Sequence, residues 1–280
     1  MIFSPLNPRG REIKSETTAA LNANKTYINK EYEVKHMPEK RGKFCCELWK
    51  KPKGSTVLEG FPGFGLVATI STGFLIDHLN CEQIGKYWFE EAQPTLAIHA
   101  CKVVDPIGIY YNKKYNIVIV HSITPVNAME WKAADLVLDI CKQVDAKEIL
   151  TAEGVGSTEE GETRGFFYAS NPEHRKKFEK LGIDCLGEGI IVGVTSALLM
   201  KAPQEGFDIC CLFAETHSNL PDSKAAAKIV ELIDQYLGLK VDYKPLLKQA
   251  EAFEKRLRLM MEQANKAKEI KEKKDISYVG

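Results

Sequence analysis

Three stretches carry residues whose types and spacing suit chemistry. The first is Gly60-Phe61-Pro62-Gly63-Phe64-Gly65-Leu66-Val67-Ala68, set between an apolar strand-like run and an apolar helix-like run. Gly63, Gly65 and Ala68 satisfy G-x-G-x-x-A, in which glycines let a phosphate approach backbone N–H groups at a helix N-terminus. Glu90 and Glu91 follow the next strand near where a ribose-binding acid would stand. Pro62 and Glu59 oppose that reading, because Glu59 sets negative charge beside the phosphate. The same glycines equally suit a tight strand-to-helix packing turn with no ligand. No Gly-Lys-Ser/Thr follows, which excludes a Walker-type phosphate loop.

The second stretch, Glu153-Gly154-Val155-Gly156-Ser157, reads as a glycine turn at the end of a buried strand over Glu148–Ala152. Strand ends are where α/β proteins place ligands. With Glu159, Glu160, Glu162 and Arg164 behind it, the turn suits a metal or a sugar hydroxyl, and equally a solvated loop. The third is Ala214-Glu215-Thr216-His217, where Glu215 and His217 share one side of an extended strand and can pair as acid and base. A histidine held for structure explains it as simply. Gly63, Gly65, Glu153, Glu215 and His217 together outline a candidate pocket. G-x-S-x-G is absent, and no His/Asp/Glu grouping has a metal-site spacing. No catalytic residue, metal or cofactor is expected, and binding is favoured over catalysis.

The elements that must position these residues alternate. Strands are expected at Phe44–Trp49, Thr56–Glu59, Gln83–Phe89, Thr95–Val103, Ile107–Tyr110, Ile117–His121, Glu148–Ala152, Arg164–Ala169 and Asp208–Ala214. Helices are expected at Leu66–Leu79, after Pro125 through Cys141, at Pro172–Leu181 behind an Asn171 cap, at Gly193–Met200, and from Pro221 to Leu237, stopped by Gly238. This order argues an α/β fold, a mixed sheet flanked by helices. The expected layout is a polar extension over 1–40, an α/β domain over 41–243, a heptad helix over 244–275 and a tail over 276–280.

The heptad seam is Leu246, Ala250, Phe253, Leu257, Met260, Ala264 and Ala267, spaced as in a helix that packs along another helix. Leu246, Phe253, Leu257 and Met260 are the seam's strongest members, set to pack on the chain's own domain or in an oligomer. The last residues, Ile276-Ser277-Tyr278-Val279-Gly280, put an apolar pair and a tyrosine beyond a charged spacer. That arrangement suits insertion into another protein's pocket.

The 280 residues carry 38 basic and 38 acidic side chains. A neutral total gives no support for nucleic-acid or membrane-surface partners. The eight cysteines form no C-x-x-C pair, the first residues show no apolar core of a signal peptide, and no apolar run approaches the length of a membrane span. The economical expectation is a cytoplasmic protein with reduced thiols. The vicinal Cys45-Cys46 and Cys210-Cys211 pairs are expected on strands, one side chain on each face.

Read in order, several segments resemble the proteasome assembly chaperone family in its archaeal form. They are the turn Glu59–Ala68, the small-residue segment Gly189-Ile190-Ile191-Val192-Gly193-Val194-Thr195-Ser196-Ala197-Leu198-Leu199, and Ala214-Glu215-Thr216-His217 with Pro221-Asp222 and Ala225-Ala226. Leu237-Gly238-Leu239-Lys240-Val241-Asp242 then leads into the final helix. The resemblance covers roughly residues 50–270. It implies a fold akin to the nucleoside phosphorylases with a long C-terminal helix, self-association into a homo-oligomer, and binding without ATP or catalysis to the α-subunits of the proteasome core. It also implies docking through Ile276, Tyr278, Val279 and Gly280. The family's docking tail has tyrosine next to last, whereas Tyr278 is third from last, which displaces the carboxylate by ~3.3 Å when extended. The alternative kept beside it is a small-molecule binder or enzyme acting on nucleosides or nucleotides with a phosphorylase-like fold. A Rossmann dehydrogenase is a third, weaker reading.

Overall fold

The computed structural model describes residues 46, 48–99, 101–156, 163–216, 220–246, 259 and 262. Among them, eight strands form one sheet in the order β2-β5-β6-β1-β7-β10-β8-β9. These are β1 (Thr56–Gly60), β2 (Glu82–Tyr87), β5 (Ile107–Asn112), β6 (Ile117–Ser122), β7 (Glu148–Gly156), β8 (Gly165–Ala169), β9 (Asp184–Cys185) and β10 (Ile209–Thr216). A separate hairpin pairs β3 (Ala97–His99) with β4 (Lys102–Val104). The helices are α1 (Val67–His78), α2 (Glu130–Gln143), α3 (Pro172–Lys180), α4 (Val194–Lys201) and α5 (Ser223–Leu237).

The four central strands β6, β1, β7 and β10 run parallel. Their near-continuous apolar runs suit strands covered on both faces. Alternate residues divide between two cores. Leu58, Ile117, Ile119, Leu150 and Leu212 pack under α1 and α5. Val57, Val118, Val120, Ile149 and Ile209 pack under α2 and α4. The flanking pairs are antiparallel, β5 against β6, β2 against β5, and β8 against β10. The sheet is therefore mixed, as expected, and helices cover both faces.

Local chemistry explains the element ends. Asn171 caps α3 by accepting the Glu173 N–H at 2.7 Å, and Gly238 ends α5 in the left-handed conformation that glycine adopts freely (φ 68°). Asp222 caps α5, its Oδ1 accepting the N–H groups of Lys224 and Ala225 at 3.0 Å. Its Oδ2 accepts the Thr216 hydroxyl at 2.8 Å, and its own N–H donates to the Gly65 carbonyl at 3.0 Å. One side chain thus starts a helix and ties it to the end of β10.

Four expectations are corrected. The run Thr95–Val103 is a hairpin and not one strand: His99 pairs with Lys102, and Cys101 adopts φ 59°, the left-handed geometry that a two-residue loop demands. Glu153–Gly156 is not a turn, because β7 continues to Gly156 alongside β10. Cys46, Leu48 and Trp49 are not in a strand, although the Trp49 N–H donates to the Ile84 carbonyl at 2.7 Å. The strand after α1 lies three places from β1 at the sheet's edge, paired antiparallel with β5, so the adjacent βαβ unit of a Rossmann dinucleotide fold is not formed. The expected extension over 1–40, and the Cys45 half of the first vicinal pair, lie outside the described residues. So does most of the expected C-terminal helix, of which 244–246, Leu259 and Glu262 are helical. No helix among the described residues is long and apolar enough to cross a membrane.

Asp222→Ala should cost about 2 kcal/mol in urea unfolding, since it removes a cap and leaves the Thr216 hydroxyl without its carboxylate. Asp222→Asn should recover most of that. A loss below about 0.5 kcal/mol for the alanine variant would contradict the role given to this side chain.

Candidate functional site

After β1 the chain follows α1 along one face towards the β2-β5-β6 side of the sheet. After β6 it follows α2 along the other face and enters β7. Connections that leave in opposite directions open a crevice beyond the carboxyl ends of the strands, the usual ligand site of open α/β sheets. Here two glutamates fill it. Glu59 is the penultimate residue of β1 and pairs in register with Thr151 of β7; Glu153 lies two residues further along β7, on the same face.

Both are buried, Glu59 at 1% and Glu153 at 8% exposure. Glu59 Oε1 accepts the Phe61 N–H at 2.6 Å, and Oε2 accepts the hydroxyl of Thr195, from the first turn of α4, at 3.4 Å. Glu153 Oε1 accepts the N–H groups of Phe64 at 3.0 Å and Gly154 at 3.1 Å. Burial pushes the Glu59 carboxyl up to about 8 against the pull of the Phe61 N–H, and the nearby Glu153 adds to the rise. Burial likewise raises Glu153 to about 7, opposed by the N–H groups of Phe64 and Gly154 and by Thr195. At neutral pH the pair therefore retains protons that exposed glutamates would have lost.

The glycines are explained by this contact. A Cβ on Gly63 would stand 2.2 Å from Glu153 Oε1, and one on Gly154 would stand 2.3 Å from the Phe64 carbonyl oxygen. Gly65 (φ 65°) and Leu66 (φ 52°) both adopt left-handed backbone as the chain swings into α1. The turn is thus pressed onto β7. Its Phe64 N–H, which a phosphate would require, is already taken by the chain's own carboxyl group.

Gly63, Gly65 and Glu153 of the candidate pocket are brought together, with Glu59 and Thr195 joining them. Thr216 also touches the turn, since its Oγ1 would lie 3.0 Å from a Cβ on Gly65. Glu215 is buried on β10 and gripped by Arg164: Nη2 at 2.6 Å and Nε at 3.0 Å reach Oε1, while the backbone N–H at 3.2 Å reaches Oε2. Such a forked guanidinium–carboxylate pair orients a strand end firmly. His217, Ser157, Glu159, Glu160 and Glu162 lie outside the described residues, as do Phe253, Leu257, Met260, Ile276, Tyr278, Val279 and Gly280. Leu246 is buried in the domain's own core beside α1 and α5. Glu90 and Glu91 are exposed, and Glu91 pairs with Lys132 at 2.5 Å. Sequence reasoning met Glu59 only as an obstacle to phosphate and did not single out Thr195. The available signal was a glutamate inside Thr56-Val57-Leu58-Glu59-Gly60, a run otherwise suited to full burial.

The fold and this site define an α/β protein with a mixed sheet whose switch-point crevice is occupied by its own carboxyl groups. The PAC2 family model matches residues 57–261, and the chain belongs to that family. PbaA of Pyrococcus furiosus, an archaeal homolog of proteasome-assembly chaperone, is 30% identical with a TM-score of 0.71; the match covers 80% of this chain and 100% of that one. PbaB of the same organism, an archaeal proteasome activator, shares the fold with a TM-score of 0.64 at 23% identity, over 76% of this chain and 97% of that one. An uncharacterized protein of Methanocaldococcus jannaschii is 28% identical over 207 residues, 74% of this chain and 85% of its own length.

A carboxyl whose folded pKa is raised stabilises the fold fully below its unfolded value and progressively less as pH climbs to the folded one. For Glu59 that window runs from about 4.5 to about 8. Glu59→Gln keeps an oxygen for the Phe61 N–H and removes the titration. Its stability relative to the parent should therefore rise by roughly 3 kcal/mol between pH 5 and pH 8 in urea titrations. A difference that stays flat across that range would contradict the raised pKa.

Proposed function

We propose that this chain is a non-enzymatic proteasome assembly chaperone or adaptor that self-associates and docks on the α-ring of the proteasome core through its C-terminal tail. The observation that carries the reading is the 30% identity to PbaA across the whole of that chain. In this reading residues 244–275 form a helical stalk on a phosphorylase-like body, with Leu246 anchoring its base in the domain core. Ile276, Tyr278, Val279 and Gly280 then form the docking element. The spacing of Phe253, Leu257 and Met260 suits packing along the body or along a second copy.

Two features of the body support a binding role. Ile98 and Val103 face each other across the β3-β4 hairpin at 71% and 59% exposure. Ile190 and Val192, in the glycine-flanked segment before α4, are 93% and 73% exposed. Exposed apolar groups of this size suit protein contacts, and an isolated two-stranded hairpin has little stability of its own without something to pack on. The nucleoside or nucleotide reading has less support, because a phosphate would have to displace the buried Glu153 carboxyl from the Phe64 N–H.

Deletion of residues 276–280 should abolish capture of purified archaeal proteasome α-rings while leaving thermal unfolding of the chain unchanged. Tyr278→Ala should weaken capture at least tenfold. Capture at parental strength by the deletion variant would overturn tail docking.

A further inference from the structure

At the opposite end of the sheet from the glycine turn lies a second buried polar cluster. Glu148 opens β7, Cys210 is the second residue of β10, His174 stands in the first turn of α3, and Tyr236 lies in the last turn of α5. One ligand atom from each of Glu148, His174 and Cys210 lies within 4.8 Å of the other two. Cys210 and Glu148 are buried and His174 is half-buried, which leaves a path inward from the surface on the histidine side.

We propose that Glu148, His174 and Cys210 form a site for one zinc ion, with the Tyr236 hydroxyl at the fourth position. The donor set of carboxylate, imidazole and thiolate is one that zinc accepts in tetrahedral sites. Glu148 Oε2 and His174 Nδ1 are 3.4 Å apart. Two ligands about 2.1 Å from a tetrahedral ion stand roughly 3.4 Å apart, so this edge of the tetrahedron already exists. The Tyr236 hydroxyl lies 2.7 Å from Glu148 Oε2 and 2.6 Å from His174 Nδ1. It serves as a neutral fourth ligand: loading would widen those two contacts to roughly 3.4 Å, with the phenol proton kept on oxygen and the imidazole proton on Nε2, towards Asp208, so that Nδ1 can bind the ion.

The surrounding groups are those expected of a supporting shell. Asp208 Oδ2 stands 3.6 Å from the other imidazole nitrogen, Nε2, and is itself held by the Asn171 side chain at 2.9 Å. A carboxylate behind a histidine fixes which nitrogen faces the metal. Glu148 Oε1 accepts the Thr56 hydroxyl at 2.9 Å, leaving Oε2 for the ion. The charges balance: Cys210 releases its thiol proton to solvent on binding, and the thiolate with the Glu148 carboxylate neutralises a dication in a buried place. Such an ion would staple α3 and α5 to the starts of β7 and β10, next to the stack of Phe178 on Phe167 and Tyr236 at 4.6 and 4.3 Å.

The test uses the full chain, stripped with chelator, reloaded with zinc chloride, desalted and measured by plasma mass spectrometry, with cobalt(II) as the optical probe. The expected result is one retained zinc per chain and a cobalt spectrum showing a thiolate charge-transfer band. Both should be lost in Cys210→Ser, with zinc affinity falling at least 100-fold, and lost likewise in His174→Ala, which alters a half-buried position. The double variant Cys101→Ser/Cys185→Ser, which removes two exposed thiols, should retain both signals. Absence of retained zinc in the parent would overturn the proposal. So would retention unchanged in Cys210→Ser or His174→Ala, or a cobalt complex without a thiolate band.

Discussion

Burying an ionised carboxyl group is among the more costly things a fold can do, and this one buries two side by side at the carboxyl ends of β1 and β7. The cost is limited in two ways. The groups hold protons up to about pH 8 and 7, and the oxygens receive N–H groups from Phe61, Phe64 and Gly154. The Phe64 donor is there because the chain folds back over Glu153, where a Cβ at 63 or 154 would collide. The turn, the left-handed Gly65 and Leu66, the start of α1 and the tie from Gly65 to Asp222 at the cap of α5 all follow from that placement. The geometry of the strand ends is thus organised around an internal acid, where related architectures organise it around a ligand's phosphate.

This substitution bears on function. Among the described residues, a crevice satisfied from within presents no ready set of N–H donors to an anion. The exposed apolar groups among the described residues include those of the Ile98/Val103 hairpin and the Ile190/Val192 segment. The protein-binding role proposed for this PAC2-family chain accords with both observations. The two ends of the sheet also differ in kind. The carboxyl end holds a glutamate pair of matched chemistry, whereas the amino end gathers glutamate, histidine, cysteine and tyrosine around one point.

Much of the fold was legible in the residues because burial on two faces leaves a plain pattern. Asp208–Ala214 reads as a central strand and Ile117–His121 as a strand, and Asn171, Asp222 and Gly238 mark helix ends by well-understood local chemistry. Position in the sheet was less legible. Nothing local in Glu82–Tyr87 says that it crosses to the far edge and pairs with β5, and a G-x-G-x-x-A spacing before it suggests a place beside β1. Glu153–Gly156 resembled a turn by composition, yet pairing with β10 holds it extended, a tertiary effect that propensity does not contain. The site followed the same rule. Gly63 and Gly65 were identifiable and form the tight packing turn that was one of their two readings, whereas the role of Glu153 in serving that turn's N–H group was not legible. The Glu148, His174, Cys210 and Tyr236 cluster joins residues up to 88 positions apart, which no spacing motif records.

The central claim is that Glu59 and Glu153 stay protonated towards neutrality because they are buried together under the turn. It is tested most directly by a carbon-13 NMR titration of glutamate side-chain carboxyl groups in the full chain, assigned with Glu59→Gln and Glu153→Gln. The pair should titrate with apparent midpoints near 8 and 7, and the backbone N–H signals of Phe64 and Gly154 should shift with the Glu153 step. Both carboxyls titrating near 4.5, with those N–H signals unmoved around neutrality, would contradict the account.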